Sequence, residues 1–474
     1  MTLPETDDTA GHSAPARRVA WRDELTETIK LAGPMAATQL GQIAMMTTDL
    51  ALLGRLGDHV VAAAALAHTV LFAAFALGMG LVAAVAPLAS QAFGARNPRL
   101  VRRSLRVGLW AALLAGVPLT ALPLWGEDIL LALGQPPQSA ELAARYLAGL
   151  AWCLVPSWAF IALRNFMSAV NRPEPALWIT LAGIPINGVL GYALIYGAFG
   201  APSLDVLGAG VATTLVNVGM CAAALWFACA CRPFKKYRVL GRFWRVDWGL
   251  LRQLLLLGFP ISGAFLLEFG LFAAAALLMG GISDAALAAH AVALQVAAIL
   301  YMVPFGISLA ATVRVGQAAG RRDALGTRQA GLAAVGLAVL FMAAMTLMIV
   351  LFRHTVPQLF LGAEPRAASE TLALAATLLA VGATFFLTDG IQTVAAGALR
   401  GLNDTRVPLL LAACSYWGAG FATSYALAFV LDLSATGVWI GLSTGTSVFA
   451  VLLLWRFHVL TRAHHMPAVP GSAS

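Results

Sequence analysis

The sequence contains few charged residues. Asp, Glu, Lys and Arg make up only 11% of its 474 residues, and 60% of the residues are hydrophobic; soluble proteins have roughly 25% charged residues. Stretches without any charged residue span 60–95, 176–204, 206–231, 285–313, 329–352, 371–388, 407–431 and 433–455. Because about 20 apolar residues suffice for a helix to cross a bilayer, the composition excludes an ordinary soluble domain and indicates an integral membrane protein.

Several functional motifs are also missing from the sequence. Residues 1–29 are polar and hold no apolar run typical of a signal peptide, so we expect no cleaved signal. There is no G-x-x-x-x-G-K-[ST] loop to bind ATP and no H-E-x-x-H zinc motif. The five cysteines form no C-x-x-C pair and lie in or beside apolar segments. We therefore predict no enzyme, no cofactor, no resident metal and no disulfide framework.

The apolar segments divide the chain into twelve predicted spans and an all-α membrane fold. Shorter apolar blocks near 31–53, 107–126, 146–163 and 253–280 complete the twelve. The predicted parts are a cytoplasmic tail (1–29), an N-lobe of spans 1–6 (30–231), a basic cytoplasmic linker (232–250), a C-lobe of spans 7–12 (251–460) and a second cytoplasmic tail (461–474).

Basic residues predict the orientation, since short cytoplasmic loops carry an excess of Lys and Arg. The loop after the second span carries five arginines and no acid, and the loop after the sixth carries six basic residues against Asp247. Loops after odd-numbered spans instead hold acids such as Asp205, Asp284 and Asp432. We expect both termini in the cytoplasm, and the net charge of +8 then reflects the cytoplasmic leaflet, with no need for nucleic acid.

An internal repeat relates the two halves of the chain. Shifting the sequence by 226 residues pairs Pro34 with Pro260, Gly80 with Gly306 and "QAFGARN" (91–97) with "QAAGRRD" (317–323). Of the 64 positions from 34 to 97, 16 are identical, and ten of those are not alanine. Since each half has an even number of spans, the halves are parallel repeats about an axis along the membrane normal, as in alternating-access transporters.

Three acidic residues fall inside the predicted spans, where ionisable groups are costly and usually functional. Glu268 lies near the middle of span 7, Asp389 lies deep in span 10, and Asp49 lies in the outer half of span 1. Their repeat positions differ, since Gln42 is the counterpart of Glu268 and Ala275 that of Asp49. Each acid is a candidate cation site, and the alternative is a polar tie between helices or, for Asp49, an ion pair with Arg55. Asn187 and Gln295 are candidate cavity-lining residues, with ordinary interhelical hydrogen bonding as the alternative.

The arrangement of motifs resembles the multidrug and toxic compound extrusion (MATE) transporters. Twelve spans in two bundles, P-x(14)-D in the first span, "SQAFGARN" (90–97) echoed by "GQAAGRRD" (316–323), and "ALRGLNDTRVP" (398–408) carry the resemblance, which covers residues 25–460. The acid in the seventh span points to the NorM branch. The resemblance implies export of organic, often cationic, compounds in exchange for Na⁺ or H⁺.

The same resemblance assigns roles to the acids. Glu268 and Asp389 match the cation-binding acids of the C-lobe, where transported Na⁺ would bind, and Asp49 matches the acid of the first N-lobe span. Phe385, one turn before Asp389, stands where sodium-coupled relatives have a tyrosine, so it is a third cavity candidate and leaves Na⁺ and H⁺ both open. The expected partners are small organic molecules and membrane lipids, and the expected form is a monomer in a bacterial inner membrane.

Other functions fit the sequence less well. A lipid-linked oligosaccharide flippase on a related fold is the main alternative, but it would favour arginine and lysine in the central cavity for pyrophosphate. Glu268 and Asp389 could form the dyad of an intramembrane aspartyl protease, although such an enzyme does not need two six-span repeats. A channel would need rings of like residues and subunit symmetry, which an internal pseudo-twofold does not supply.

Overall fold

The computed structural model describes residues 21–241, 243–361 and 367–462, and this part of the chain is almost entirely α-helical. It forms twelve long helical segments, α1 Trp21–Gly54, α2 His59–Gly94, α3 Pro98–Leu124, α4 Pro137–Ala169, α5 Glu174–Tyr196, α6 Asp205–Ala230, α7 Trp248–Ile282, α8 Asp284–Gly320, α9 Ala324–Leu351, α10 Ala367–Val381 with Ala383–Gly401, α11 406–430 and α12 Ser434–Thr461. They match the twelve predicted spans, which confirms the predicted fold. Most of the two expected tails, and Arg242 of the linker, lie outside the described residues.

Most of these helices could cross a membrane by length and composition alone. Within the described residues, nine do so unaided, namely α2 to α9 and α12, and the two parts of α10 pass together across a 49° bend. Helix α1 is more polar, with Gln39 and Gln42 in its middle. Helix α11 contains π-helical turns at Cys414–Phe421 and Ala426–Val430; such turns are rare and frequently found at functional sites.

Each half of the chain packs around its own apolar core. Trp158, Tyr146 and other large side chains of α2 to α6 fill the N-lobe (α1 to α6), and the C-lobe (α7 to α12) is filled around Trp439. A third cluster joins residues of α1, such as Met35, to residues of α8, such as Phe305. The N-lobe cluster also includes Leu254 and Ile261 of α7, so the lobes have their own cores but pack against each other along a seam.

Three helix pairs, α1 with α8, α2 with α7 and α2 with α8, form most of this seam, and its closest contacts follow the repeat. A side chain at Gly80 would place its Cβ 2.3 Å from Ser262 Oγ, and one at Gly306 would lie 2.4 Å from Ala36 Cα. Gly80 and Gly306 are equivalent in the repeat, as are Ala36 and Ser262. Only glycine fits such close helix crossings, so the seam has approximate twofold symmetry.

A second symmetric contact closes one end of the seam, and we call it the glutamine clasp. Gln91 of α2 donates to Gly401 O across the lobes at 2.8 Å and accepts from Asn403 Nδ2 at 2.8 Å. Its repeat equivalent Gln317 of α8 donates to Ala169 O at 3.0 Å and to Asn171 Oδ1 at 2.8 Å, also across the lobes. Each glutamine thus binds the loop of the opposite lobe.

The residues that follow each clasp glutamine explain why the motif recurs. Gly94 and Gly320 allow the backbones to touch, since a Cβ at either would lie 2.1 Å from the carbonyl oxygen of the opposite glutamine. The loop then turns, with Arg96 and its equivalent Arg322 at φ of 55° and 57°. Asn97 and Asp323 accept backbone N–H bonds that cap the next helix. One short motif therefore builds a clasp, a turn and a helix start in each lobe.

Further polar contacts hold the same end of the molecule together. Arg314 of α8 forms a bidentate ion pair with Glu24 at the start of α1, with N to O distances of 2.9 and 2.6 Å. The pair is almost fully buried and joins the lobes. Glu24 belongs to the segment expected as a tail, and the structure shows that residues 21–29 are the first turns of α1.

Candidate functional site

The candidate site in the C-lobe is a pair of carboxylates bridged by one amide. Glu268 lies near the middle of α7, and Asp389 lies on α10, seven residues after the bend and 5% exposed. Gln392 Nε2 donates to Asp389 Oδ1 at 2.8 Å and to Glu268 Oε1 at 3.2 Å. The structure therefore brings the two predicted acids together, with nearest oxygens within about 6 Å of each other.

The surroundings of the pair are polar but supply it with no ion pair. Tyr416 OH, from the π-helical part of α11, donates to Gln392 Oε1 at 3.0 Å. The cation nearest in the cavity lining is Arg400, whose guanidinium donates to Ser308 Oγ at 2.7 Å and to Ala396 O at 3.3 Å. Among the described residues, neither acid has a Lys, Arg or His nitrogen within 4.0 Å. Both carboxylates are therefore stabilised by neutral hydrogen-bond donors and not by a cationic side chain.

A small cavity adjoins Glu268 and the bridging amide. Its volume is about 60 Å³, and its polar lining consists of Glu268, Gln392, Thr393, Thr405, Tyr301, Tyr416 and Arg400. Such a space holds a small ion with a few water molecules, since a single water needs about 10–15 Å³ on this measure. Drug-sized ligands occupy roughly 300–1,000 Å³, so this cavity has the dimensions of a cation site.

The N-lobe contains a separate acid. Asp49, near the end of α1 and 5% exposed, accepts from Asn187 Nδ2 of α5 at 2.5 Å and from Thr213 Oγ1 of α6 at 2.8 Å. In the described part of the chain it makes no ion pair, with Arg55 or any other base. Both carboxylate oxygens are thus bound by neutral side chains from two neighbouring helices.

The three predicted cavity residues lie in different environments. Asn187 is fully buried, and its Oδ1 has no hydrogen-bond partner. Gln295 is exposed on α8. Phe385 is fully buried against the rings of Trp439, Phe272 and Phe386, and it does not line the cavity beside Glu268. The interhelical hydrogen bond expected as the alternative for Asn187 is present, with Asp49 as its acceptor.

Sequence reasoning missed most of the neutral partners of these acids. Gln392 could have been found, because it follows Asp389 by three residues and so shares its helix face. Tyr416 and Thr213 reach the sites from other helices, and no local spacing marks them. Among the described residues no three His, Cys, Asp or Glu side chains come together as metal ligands.

A family profile, MatE, matches the chain twice, over residues 34–193 and 260–426. The two matches begin 226 residues apart, which is the offset of the internal repeat. Together they cover well over half of the chain.

Curated relatives match almost the whole chain. A protein from Rhodopseudomonas palustris named "Probable multidrug resistance protein NorM" is 62% identical over 98% of this chain and 97% of its own length. One of the same name from Bradyrhizobium diazoefficiens is 58% identical over 98% and 99%. The "Multidrug resistance protein NorM" of Burkholderia vietnamiensis is 37% identical over 95% and 98%.

Solved structures share the fold at lower identity. A eukaryotic MATE transporter superimposes with a TM-score of 0.84 at 21% identity, covering 94% of this chain and 97% of that chain. An outward-facing MATE transporter superimposes with a TM-score of 0.82 at 22% identity, covering 92% and 96%. With the profile matched in both halves and relatives of this identity over its length, the chain belongs to the multidrug and toxic compound extrusion family, in its NorM branch.

Proposed function

We propose that the protein is a secondary active multidrug efflux transporter, which exports organic and often cationic compounds in antiport with Na⁺ or H⁺ by alternating access. The observation that carries the proposal is the pair Glu268 and Asp389, two acids at membrane depth that are bridged by an amide and, among the described residues, form no ion pair with a basic side chain. Two negative charges placed close together in a low-dielectric site attract a cation strongly. A cation or a proton from outside supplies the missing charge.

The small cavity supports a coupling role for this pair. Oxygen ligands from carboxylates suit a hard cation such as Na⁺, and a carboxylate that binds a proton loses its charge in the same way. Either event changes the charge of the C-lobe by one unit. A cationic drug then loses an attractive charge, so cation entry and drug release are coupled through electrostatics.

The drug itself requires a larger space than this cavity. The repeat-equivalent helices α2 and α8 are exposed at equivalent positions. Thr69 corresponds to Gln295 and Phe72 to Ala298, and all four side chains are exposed. Phe72 also stacks near Phe269 of α7, with ring centroids 4.4 Å apart. We infer that these faces form the walls of a drug-binding cleft between the lobes, with Gln295 as one of its polar contacts.

The glutamine clasp supports alternating access. In this conformation the lobes touch through Gln91 and Gln317 at one end of the seam. On the positive-inside rule we infer that this end faces the cytoplasm and that the conformation described is closed to the cytoplasm. Transport requires that the clasp opens as the lobes exchange between two populations, and cation binding biases that exchange.

We also propose a cellular location and a domain arrangement for the protein. The protein is placed in the bacterial inner membrane as a multi-pass monomer with both termini cytoplasmic, in contact with lipids, and with no resident cofactor, catalytic activity or nucleic-acid partner. The lobes are 30–231 and 251–460, and the basic linker is 232–250. That linker folds back on α3, where Trp110 Nε1 donates to Phe243 O at 2.9 Å, so it belongs to the N-lobe surface.

Proteoliposomes test the transport proposal directly. Vesicles containing the purified protein are given either a Na⁺ gradient at fixed pH or a pH gradient without Na⁺, and movement of a cationic dye is followed. One of the two gradients should drive dye against its own gradient, without ATP. Dye movement that requires ATP, or that responds to neither gradient, would show that the antiport proposal is wrong.

Orientation has an independent test. Single cysteines in a background without the five native ones are labelled from each side of the membrane. Positions next to Arg99 and Lys235 should react only from the cytoplasm, and positions next to Asp205 and Asp432 only from outside. The reverse pattern would contradict the assignment of the clasp to the cytoplasmic end.

A further inference from the structure

The position between Glu268 and Asp389 is occupied by an amide nitrogen. Gln392 Nε2 has two N–H groups, and the two contacts of 3.2 and 2.8 Å direct them to the two acids. The other end of the amide is fixed, because Gln392 Oε1 accepts from Tyr416 OH at 3.0 Å. Gln392 is 2% exposed, so these contacts are shielded from bulk solvent.

We propose that Gln392 is a built-in placeholder for the coupling cation: its amide holds the two carboxylates in the cation-free state and must leave them when the cation binds. The inference rests on the proposed antiport function. It makes Gln392 a positioning residue that lowers the apparent affinity for the cation by competing with it.

The chemistry of an amide suits this role. Hydrogen bonds to charged groups are stronger than those between neutral groups, so the amide can stabilise two acids at short range. It carries no net charge, however, and a Lys or Arg in its place would neutralise the site permanently and be costly to remove. An amide is therefore strong enough to hold the acids and weak enough to be displaced by Na⁺ or H⁺.

Of the other charged and titratable groups of the cavity, Arg400 is held by other partners, whereas Tyr416 contacts the bridging amide. Arg400 is anchored on Ser308 Oγ and Ala396 O, and its guanidinium carbon lies 6.0 Å from the centre of the Phe265 ring. Tyr301 and Tyr416 are the remaining titratable side chains that line the cavity. Tyr416 binds the bridging amide at its oxygen, which leaves Nε2 as the group that meets the acids.

Displacement of the amide has a consequence for α11. When Gln392 turns away from the acids, the hydrogen bond from Tyr416 OH to Gln392 Oε1 breaks, and Tyr416 belongs to the π-helical segment Cys414–Phe421. Cation binding on α7 and α10 is thereby transmitted to a third helix through two hydrogen bonds.

The test measures how dye export depends on the concentration of the coupling cation. Initial rates are recorded in proteoliposomes with the gradient that drives the wild type, and the half-saturating cation concentration is obtained. In Gln392→Met, which keeps length but removes the amide, we expect this concentration to fall about tenfold, the scale of a lost hydrogen bond to a charged group. If the coupling ion is H⁺, the same effect appears as a half-maximal pH about one unit higher.

Further variants distinguish the loss of the amide bridge from a general effect of misfolding. Gln392→Asn withdraws the amide by one methylene and should shift the half-saturating concentration in the same direction. Tyr416→Phe removes the hydrogen bond that orients the amide. It should lower the half-saturating cation concentration about threefold, because the bridge itself remains. Thr388→Val is the matched control: Thr388 is adjacent to Asp389 but bonds to Thr446 and to backbone oxygens, so its half-saturating concentration should stay at the wild-type value.

The outcomes separate the two proposals. Wild-type protein that responds to neither gradient overturns the antiport function, and the placeholder role falls with it. A responding wild type whose folded Gln392 and Tyr416 variants keep the same half-saturating concentration overturns only the placeholder role. A higher concentration in these variants also overturns it, since Gln392 would then be a cation ligand and not a competitor.

Discussion

The two lobes share one scaffold, but the acids within their spans have different hydrogen-bond donors. In the N-lobe, Asp49 receives a separate donor on each oxygen, from Asn187 and Thr213. In the C-lobe, Glu268 and Asp389 share the single amide of Gln392. The N-lobe thus has one acid and two donors, whereas the C-lobe has two acids and one bridging donor.

This difference shows which lobe has negative charge that its hydrogen bonds do not compensate. A buried carboxylate is tolerated when hydrogen bonds replace its hydration, and Asp49 meets this condition in the conformation described. The C-lobe pair meets it poorly, because two like charges lie close together and repel. A mobile cation should therefore have its largest effect on the C-lobe.

The double variant Glu268→Gln with Asp389→Asn tests that conclusion most strongly. It removes both charges but keeps size and hydrogen-bonding capacity, so folding should survive and gradient-driven dye export should fall to background, about 100-fold or more. Export is measured in proteoliposomes, with size-exclusion chromatography as the check on folding. Gradient-driven export at the wild-type rate would return these acids to the role of polar ties between helices.

Matched glycine variants test whether the lobes are equal at the clasp. Gly94→Ala and Gly320→Ala each place a Cβ about 2.1 Å from a carbonyl oxygen of the opposite lobe, and such overpacking typically costs about 1–3 kcal/mol. Thermal unfolding should show a similar loss in both variants, and export should fall several-fold in both. Gly336→Ala is the control, since nothing lies within 4 Å of its added Cβ. A large effect in one lobe only would contradict a symmetric clasp.

Asp49→Asn should have a milder effect than the C-lobe variants. Asn keeps a group that can bond to Asn187 and Thr213, and the position lies near the end of α1. We expect a loss of about three- to tenfold in export that depends on the substrate, the scale of one ordinary hydrogen bond. The measurement is dye and drug export for a panel of cationic and neutral compounds. Complete loss for every compound would mean that the N-lobe acid is as essential as the C-lobe pair.

The smallest effect on transport is expected for Phe385→Tyr. The new hydroxyl would enter a cluster with Trp439 and Phe272, where a buried polar group without a partner costs about 1–3 kcal/mol. Thermal stability should therefore fall, while the preference for Na⁺ or H⁺ in gradient-driven export should not change. A switch in the preferred ion would place this residue in the cation site after all.

Much of the fold could be predicted because it depends on local composition. Spans follow from charge-free stretches, and the repeat follows from matched positions such as Gly80 and Gly306. The bend near Gly382 and the π-helical turns of α11 were not predicted, since they depend on packing against other helices.

The site could be predicted only in part. Glu268, Asp389 and Asp49 stand out because charge is rare in an apolar span. Their neutral partners do not stand out, since Gln, Thr and Tyr are common enough in membrane helices to carry no signal alone. Gln91 and Gln317 were matched by the repeat, but nothing in one sequence says that each binds the opposite lobe.

The clasp also bears on ancestry. Gln91 meets the loop that ends in Asn403, and Gln317 meets the equivalent loop that ends in Asn171; residue i meets j and j meets i, which is the rule of an isologous dimer interface. Asn171 and Asn403 even share the same backbone φ of 61°. Two identical six-helix subunits would form this seam from one set of residues, so gene duplication and fusion needed no new contact there. The halves differ at their acids and at the ion pair between Arg314 and Glu24, whose repeat counterparts are Leu88 and Leu250, but they keep the two glutamines and the glycines of the clasp.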